Sequence, residues 1–338
     1  MTSASTSVPA LRRLGSVGPP AFPLALGCMG MSGMYGASDE AESIATIQAA
    51  LDAGVTVLDT GDFYGSGHNE MLIARAIAGR REQVLLSVKF GALRTPDGGW
   101  GGYDARPMAV RNFLTYSLKR LQVEHIDIYR PARLDPQVPI EEVVGTMAEL
   151  VRAGYVRYIG LSEVAVATIR RAHAVHPICD LQIEYSLLSR GPESAIFPLL
   201  QQLGIGVTAY GVLSRGLISG SRPAAAGDFR AHLPRFSGEN LQRNRALLAP
   251  LEQLAAGKGL PAAQLAIAWV LSQSPSIVAV IGARKRSQLA DALAATRLQL
   301  SAAELQHIGA AVPSAAVAGE RYGEQQMRML DSEHGGTG

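Results

Sequence analysis

A carboxylate, a phenol and an amine stand at or just beyond the ends of two neighbouring apolar runs. Asp59 lies at the end of TVLDT, Tyr64 follows in GDFYGSG, and Lys89 lies at the end of VLLSVKF. The three suit reduction of a carbonyl. A hydride arriving at carbon leaves negative charge on oxygen, which must then take up a proton. A phenol can supply that proton. Its ordinary pKa is near ~10, and an ammonium beside it would stabilise the phenolate left behind and lower that value. A carboxylate beside the lysine would hold the ammonium charged and oriented. Singly, each residue has an ordinary reading: a helix-capping acid, a loop aromatic, a lysine snorkelling from a strand end. The chemical reading depends on the three meeting in one pocket.

The elements that must position them recur along the chain. Short apolar or β-branched runs bounded by Gly, Asp or Ser occur at residues 24–30, 56–60, 84–90, 126–130, 158–162, 181–186, 205–210 and 277–282, as expected of strands buried on both faces. Amphipathic stretches long enough for crossover helices lie between them, such as Asp39 to Ala53, Pro139 to Ala153 and Leu260 to Gln273. Parallel strands require such crossovers, and eight strand and helix pairs close naturally into a (β/α)8 TIM barrel, here a single α/β domain over residues 1–338. An open doubly wound sheet is the structural rival. Two long segments, 91–105 and 219–243, follow the third and seventh strands and would stand as loops over the catalytic face of a barrel. Residues 331–338 read as a flexible tail.

Bulk composition narrows the partners. Of 338 residues, 47% are hydrophobic and 18% charged, enough for a large core, and 31 basic residues nearly balance 29 acidic ones. Such a balance offers no general field for nucleic acid or an anionic membrane, so small molecules are the expected partners. Cys28 and Cys179 are too few for a disulfide framework, and a reducing cytoplasm fits them. Pro19, Pro20, Pro23 and Gly27 break up the apolar stretch that could otherwise imitate an export signal. Among metal-like patterns, His173, His176 and Cys179 recur every third residue, but Pro177 interrupts any helix there and no fourth ligand is near, so no metal is expected.

The ordered segments LALGCMGMSGMYG, VLDTGDFYGSGHNE, LLSVKFG, DPQVPIEE, GYVRYIGLSE, LQIEYSLLSR and GARKRSQLADAL resemble successive motifs of the aldo-keto reductases. The final GERYGEQQMRMLD is similar to the tail of bacterial and plant members. The resemblance implies a cytoplasmic barrel enzyme that binds NADPH without a Rossmann domain and reduces aldehydes or ketones. It carries the family's Asp, Tyr and Lys onto Asp59, Tyr64 and Lys89. The family's fourth catalytic residue, a histidine, does not carry over: where relatives read HRVDP, this chain reads ARLDP, with Ala132 at the histidine position. His125 precedes the fourth strand and should lie at the opposite end of the barrel, and His68 reads as part of a helix start. A water beside Ala132 is the economical replacement.

No GxGxxG or GxxxxGK sequence occurs, which weighs against Rossmann and kinase folds. By resemblance, Ser162, Glu163 and Gln182 surround the nicotinamide carboxamide, Tyr210 stacks on the ring, and Cys28, Met29 and Asp59 also belong to the cofactor site. Gly211, Leu213, Ser214, Arg215 and Gly216 would offer backbone to the pyrophosphate. In the last motif, Gly282, Arg284, Lys285 and Gln288 would take the adenosine end. Arg284 can grip a phosphate bidentately, Lys285 adds a point charge, and Gln288 can hydrogen-bond adenine. The ordinary reading of this basic run is a solvated helix start, although helix starts favour acids. The substrate pocket is expected to include Met29, Met31, Tyr64, Trp100 and Ala132, with Met34 and Tyr103 nearby. Two rivals remain: a cofactor-binding sensor or regulatory subunit with little turnover, and a cofactor-free isomerase or lyase barrel. Oligomeric state is left open.

Overall fold

The computed structural model describes residues 9–221, 223 and 228–334. Eight parallel strands close into a barrel: β1 Leu24–Gly27, β2 Val57–Gly61, β3 Leu85–Phe90, β4 Ile126–Pro131, β5 Val156–Ser162, β6 Ile178–Glu184, β7 Gly206–Tyr210 and β8 Ile277–Gly282. Ring closure is made by β8 pairing with β1, Ala279 opposite Leu24 and Gly282 opposite Gly27. An open doubly wound sheet is thereby excluded. Helices return the chain between strands, among them α1 Glu40–Asp52, α2 His68–Ala76, α3 Pro107–Leu121 and α4 Ile140–Arg152. Asp39 accepts the backbone N–H of Glu42 and caps α1, and Pro107 opens α3 at its first residue.

Strands that face both the barrel interior and the helices must be apolar on both sides, and β2 and β6 are buried along their whole length. The outer layer joins strands to helices through residues such as Leu58, Leu86, Leu161 and Ile183. Inside the barrel a smaller apolar layer of Leu14, Ala25, Val57, Ile128, Cys179 and Val278 fills the N-terminal end. A short antiparallel hairpin, Arg12–Arg13 with Pro20–Ala21, carries Leu14 into that end and plugs it.

Above this apolar floor the interior turns polar. Arg130, with no exposed surface, donates to Thr208 Oγ1 at 3.0 Å, Ser87 Oγ at 3.2 Å and Asp180 Oδ1 at 3.1 Å. Gly160 makes this arrangement fit: a Cβ there would stand 2.6 Å from Asp180 Oδ1 and 3.2 Å from the Arg130 guanidinium carbon. A buried cation so enclosed needs every one of these partners to offset its desolvation.

The two long loops depart from irregular structure in different ways. Part of 91–105 is a β-hairpin, Ala92–Arg94 paired with Trp100–Tyr103. The segment 219–243 contains 3₁₀ turns at Phe229–His232 and Pro234–Phe236 and then enters helix Gly238–Gly257; residues 222 and 224–227 lie outside the described residues. The expected loose tail begins docked. Asp331 Oδ2 accepts the backbone N–H of Ala165 at 2.8 Å, and Ser332 Oγ donates to Glu163 Oε2 at 2.6 Å. Residues 335–338 lie outside the described residues. No single helix among the described residues is long and apolar enough to cross a membrane.

Candidate active site

The parallel register places Asp59 opposite Ser87 and Gly61 opposite Lys89, so the side chains of residues 59, 87 and 89 point to the same, inner face. Lys89 Nζ donates to Asp59 Oδ1 at 2.5 Å. The other carboxylate oxygen accepts from Ser87 Oγ at 2.9 Å and Gln182 Nε2 at 2.7 Å. Burial by itself would raise the Asp59 pKa, but the charges of Lys89 and Arg130 and the hydrogen bonds from Lys89 and Gln182 outweigh it and hold the carboxyl below its ordinary range. Burial lowers the Lys89 ammonium against the opposing pull of Asp59.

Tyr64 arrives from the loop after β2. Asn69, fully buried at the start of α2, accepts from Thr60 Oγ1 at 2.6 Å and donates to the carbonyl of Cys28 and to Ser32 Oγ, each at 2.8 Å. This side chain ties the loop to the first two strands. Tyr64 lies with Lys89 Nζ 5.2 Å from its ring centroid, and Phe63 meets it edge-on at 4.8 Å. Its hydroxyl has no hydrogen-bond partner among the described residues. Contrary to the expectation that Lys89 would pull the phenol down, burial and the Asp59 charge push its pKa well above the ordinary value. The ammonium is committed to Asp59, so the phenol stays protonated.

These groups line one cavity of about 960 Å³ at the C-terminal ends of the strands. Of the residues expected there, Met29, Asp59, Tyr64, Lys89, Trp100, Ala132, Ser162, Gln182 and Tyr210 line it, as do Gly211, Leu213, Arg215, Gly216, Gly282, Arg284 and Gln288. Five do not. Cys28 has no exposed surface and its thiol turns back to the carbonyl of Leu26 at 3.6 Å. Met31 is 1% exposed and packs into the outer core. Ser214 turns its hydroxyl to Ser186 Oγ at 3.1 Å. Lys285 is exposed, immediately before the helix Arg286–Ala295, and faces away from the cavity.

Glu163 is the largest correction. Its residue is in the left-handed region at φ 53°, and its carboxylate is fully buried away from the cavity. There it accepts from Arg321 Nη1 at 2.8 Å and Nη2 at 2.6 Å, and from the Tyr210 hydroxyl at 2.6 Å. Burial opposes its ionisation, but the hydrogen bonds and charge of Arg321 hold it far below the carboxylate range. The acid therefore fastens the C-terminal segment to β5 and to Tyr210, leaving the ring of Tyr210 on the cavity wall. Arg215 likewise donates to Glu184 Oε2 at 2.7 Å and lies over the Tyr322 ring at 4.3 Å.

Two features escaped the sequence. Tyr322, Gln325 and Met329 of the C-terminal segment line the cavity, brought there by the Arg321 to Glu163 contact. Arg133, which in the sequence only keeps the motif frame beside Ala132, also lines the cavity. Its Nη2 lies 3.4 Å from the Tyr322 hydroxyl and its Nη1 3.5 Å from Ser162 Oγ. The motif gave no sign of where the Arg133 side chain would turn. His68 shares a 3.0 Å contact with Ser32 Oγ outside the cavity, and His125 lies beside Asp127 before β4.

An acid, a lysine and a protonated phenol at the C-terminal mouth of a closed parallel barrel, facing a long cavity without a Rossmann unit, define a barrel site of the oxidoreductase type. The profile of the aldo/keto reductase family matches residues 23–312, and a probable aldo-keto reductase 1 of Glycine max is 41% identical over 318 residues, covering 92% of this chain and 91% of that protein. The chain belongs to the aldo/keto reductase family. Among solved structures, a glycerol dehydrogenase of Gluconobacter oxydans is similar with a TM-score of 0.81, 27% identity, and coverage of 97% of this chain and 98% of the other. An aldo-keto reductase of Klebsiella pneumoniae, solved in complex with NADPH, has a TM-score of 0.71 at 26% identity, covering 91% of this chain and 96% of the other.

Proposed function

We propose that the chain is a cytoplasmic NADPH-dependent reductase of aldehydes or ketones. The observation that carries this reading is the Tyr64 phenol, unpartnered and on the cavity wall beside a lysine that a buried carboxylate holds in place. The donor set fits the cofactor. Ser162 and Gln182 offer polar groups for a carboxamide, Tyr210 offers a ring face, and Gly211, Leu213, Arg215 and Gly216 border the cavity beyond it. At the far end Arg284 donates through Nη1 to the carbonyls of Tyr35 and Ala37, which leaves its remaining N–H groups for a phosphate. Arg284, not Lys285, is the group for the 2′-phosphate of NADPH.

Bound NADPH supplies the hydride. Tyr64 hydrogen-bonds the substrate oxygen and delivers its proton there as negative charge develops. The phenolate left behind is stabilised by the nearby Lys89 and Arg133 cations. Asp59 keeps Lys89 in position, and Phe63, Trp100 and Tyr103 border the substrate end. Incubation of the protein with excess NADPH and a panel of aldehydes and ketones should show many cofactor oxidations per chain. A single stoichiometric event, or binding alone, would favour a sensor.

A further inference from the structure

Cations that line the cavity fall into two sets. Lys89 is paired with Asp59, Arg215 with Glu184 and Arg230 with Asp228. Arg284 and Arg133 have no carboxylate within salt-bridge distance among the described residues. Arg284 stands at the cofactor's phosphate end. Arg133 stands at the other end, one residue from Ala132 and beside Ser162 and Tyr322, where no phosphate of the cofactor would reach.

A guanidinium in such a place is costly unless something completes its hydrogen bonds. Its partners in the protein are its neighbour's own carbonyl, at 2.6 Å, and two neutral hydroxyls at 3.4 and 3.5 Å, the last two at the outer limit of hydrogen bonding. Once cofactor and substrate displace water, an anionic oxygen on the ligand would complete these hydrogen bonds. Nearby walls contributed by Phe63, Trp100 and Met329 are apolar; Asp59 is engaged with Lys89, and Glu163, whose charge reaches Arg133, accepts its hydrogen bonds from Arg321, Tyr210 and Ser332. The small side chain at Ala132 leaves the approach to Arg133 open.

We propose that Arg133 is a specificity residue that binds a carboxylate on the substrate, so that the preferred substrates are aldehydes or ketones joining a carboxylate to an apolar body. This rests on the reductase reading above and names its substrate class. The same cation, one residue from Ala132 on the cavity wall, also places positive charge on the side where Ala132 provides no donor.

The test uses matched pairs: 4-carboxybenzaldehyde against its methyl ester, and pyruvate against methyl pyruvate, each with NADPH. The ratio of kcat/KM for acid over ester should fall by ~10 to 150-fold in Arg133→Met, the scale of a lost charge-assisted contact, and be partly restored in Arg133→Lys. Benzoate, which cannot be reduced, should bind the NADP-loaded wild type in calorimetry and not the Arg133→Met variant. An unchanged ratio would overturn the proposal. So would an equal fall for acid and ester accompanied by weaker NADP binding, since Arg133 would then serve the carboxamide. If neither class is turned over but benzoate still requires Arg133, the anion site stands and the reductase reading fails.

Discussion

Two buried ion-pair clusters flank the mouth of the barrel and are put to opposite use. In the first, Lys89 and Asp59 are closed by Ser87 and Gln182, but the phenol they border is left without a partner and faces open space. In the second, Glu163 and Glu184 are surrounded by Arg215, Arg235 and Arg321, and Glu163 also holds the hydroxyls of Tyr210 and Ser332. The hydroxyls there all have partners. Burial and charge complementarity are alike in both; what differs is whether the neighbouring hydroxyl is spoken for. The proposed chemistry lies at the incomplete cluster, and fastening of the C-terminal segment at the complete one.

Removing the unpartnered hydroxyl should produce the largest effect. Tyr64→Phe should lower carbonyl turnover by ~100 to 10,000-fold, the usual contribution of a general acid, while NADPH affinity measured by fluorescence titration stays nearly unchanged. A variant that keeps more than about a tenth of wild-type turnover would show that the proton comes from elsewhere.

Breaking the complete cluster should cost stability rather than chemistry. Arg321→Met leaves Glu163 buried and uncompensated, a loss of ~3 to 5 kcal/mol when one member of a buried pair is removed. Denaturant midpoints and limited proteolysis of the C-terminal segment report it; if neither changes, the two clusters do not divide the work in this way. Acid should act in the same direction. Because the folded-state pKa of Glu163 lies below its unfolded value, its contribution is fully present above ~4.3 and is lost only as pH falls toward the folded-state value.

The smallest expected effect lies at the exposed end of the cavity. Arg284→Ala should weaken NADPH by ~10 to 150-fold and leave NADH unchanged, because the proposed contact is to the phosphate that only NADPH carries. Equal wild-type affinities for the two cofactors would remove this role from Arg284.

The barrel was legible in the sequence because strand burial on both faces imposes continuous apolar runs, and these coincide with the observed strands to within a few residues. The convergence of Asp59 and Lys89 followed from the same rule, since residues at the ends of adjacent parallel strands must meet in a closed barrel. Direction of the side chains was not legible. Cys28 and Met29 are neighbours, yet one turns into the core and the other into the cavity. Glu163 follows Ser162 in the motif, but a left-handed backbone at Glu163 sends its carboxylate to an arginine near the end of the chain, Arg321. Lysine 89 was expected to lower the phenol's pKa; instead it is held by Asp59, and burial with that acid raises it. Spacing along the chain determines which residues reach the mouth, because the strand period is local. Which of them remain free to act is decided by contacts between segments far apart in sequence, and burial makes each charge pair with whatever complementary group tertiary packing brings nearest.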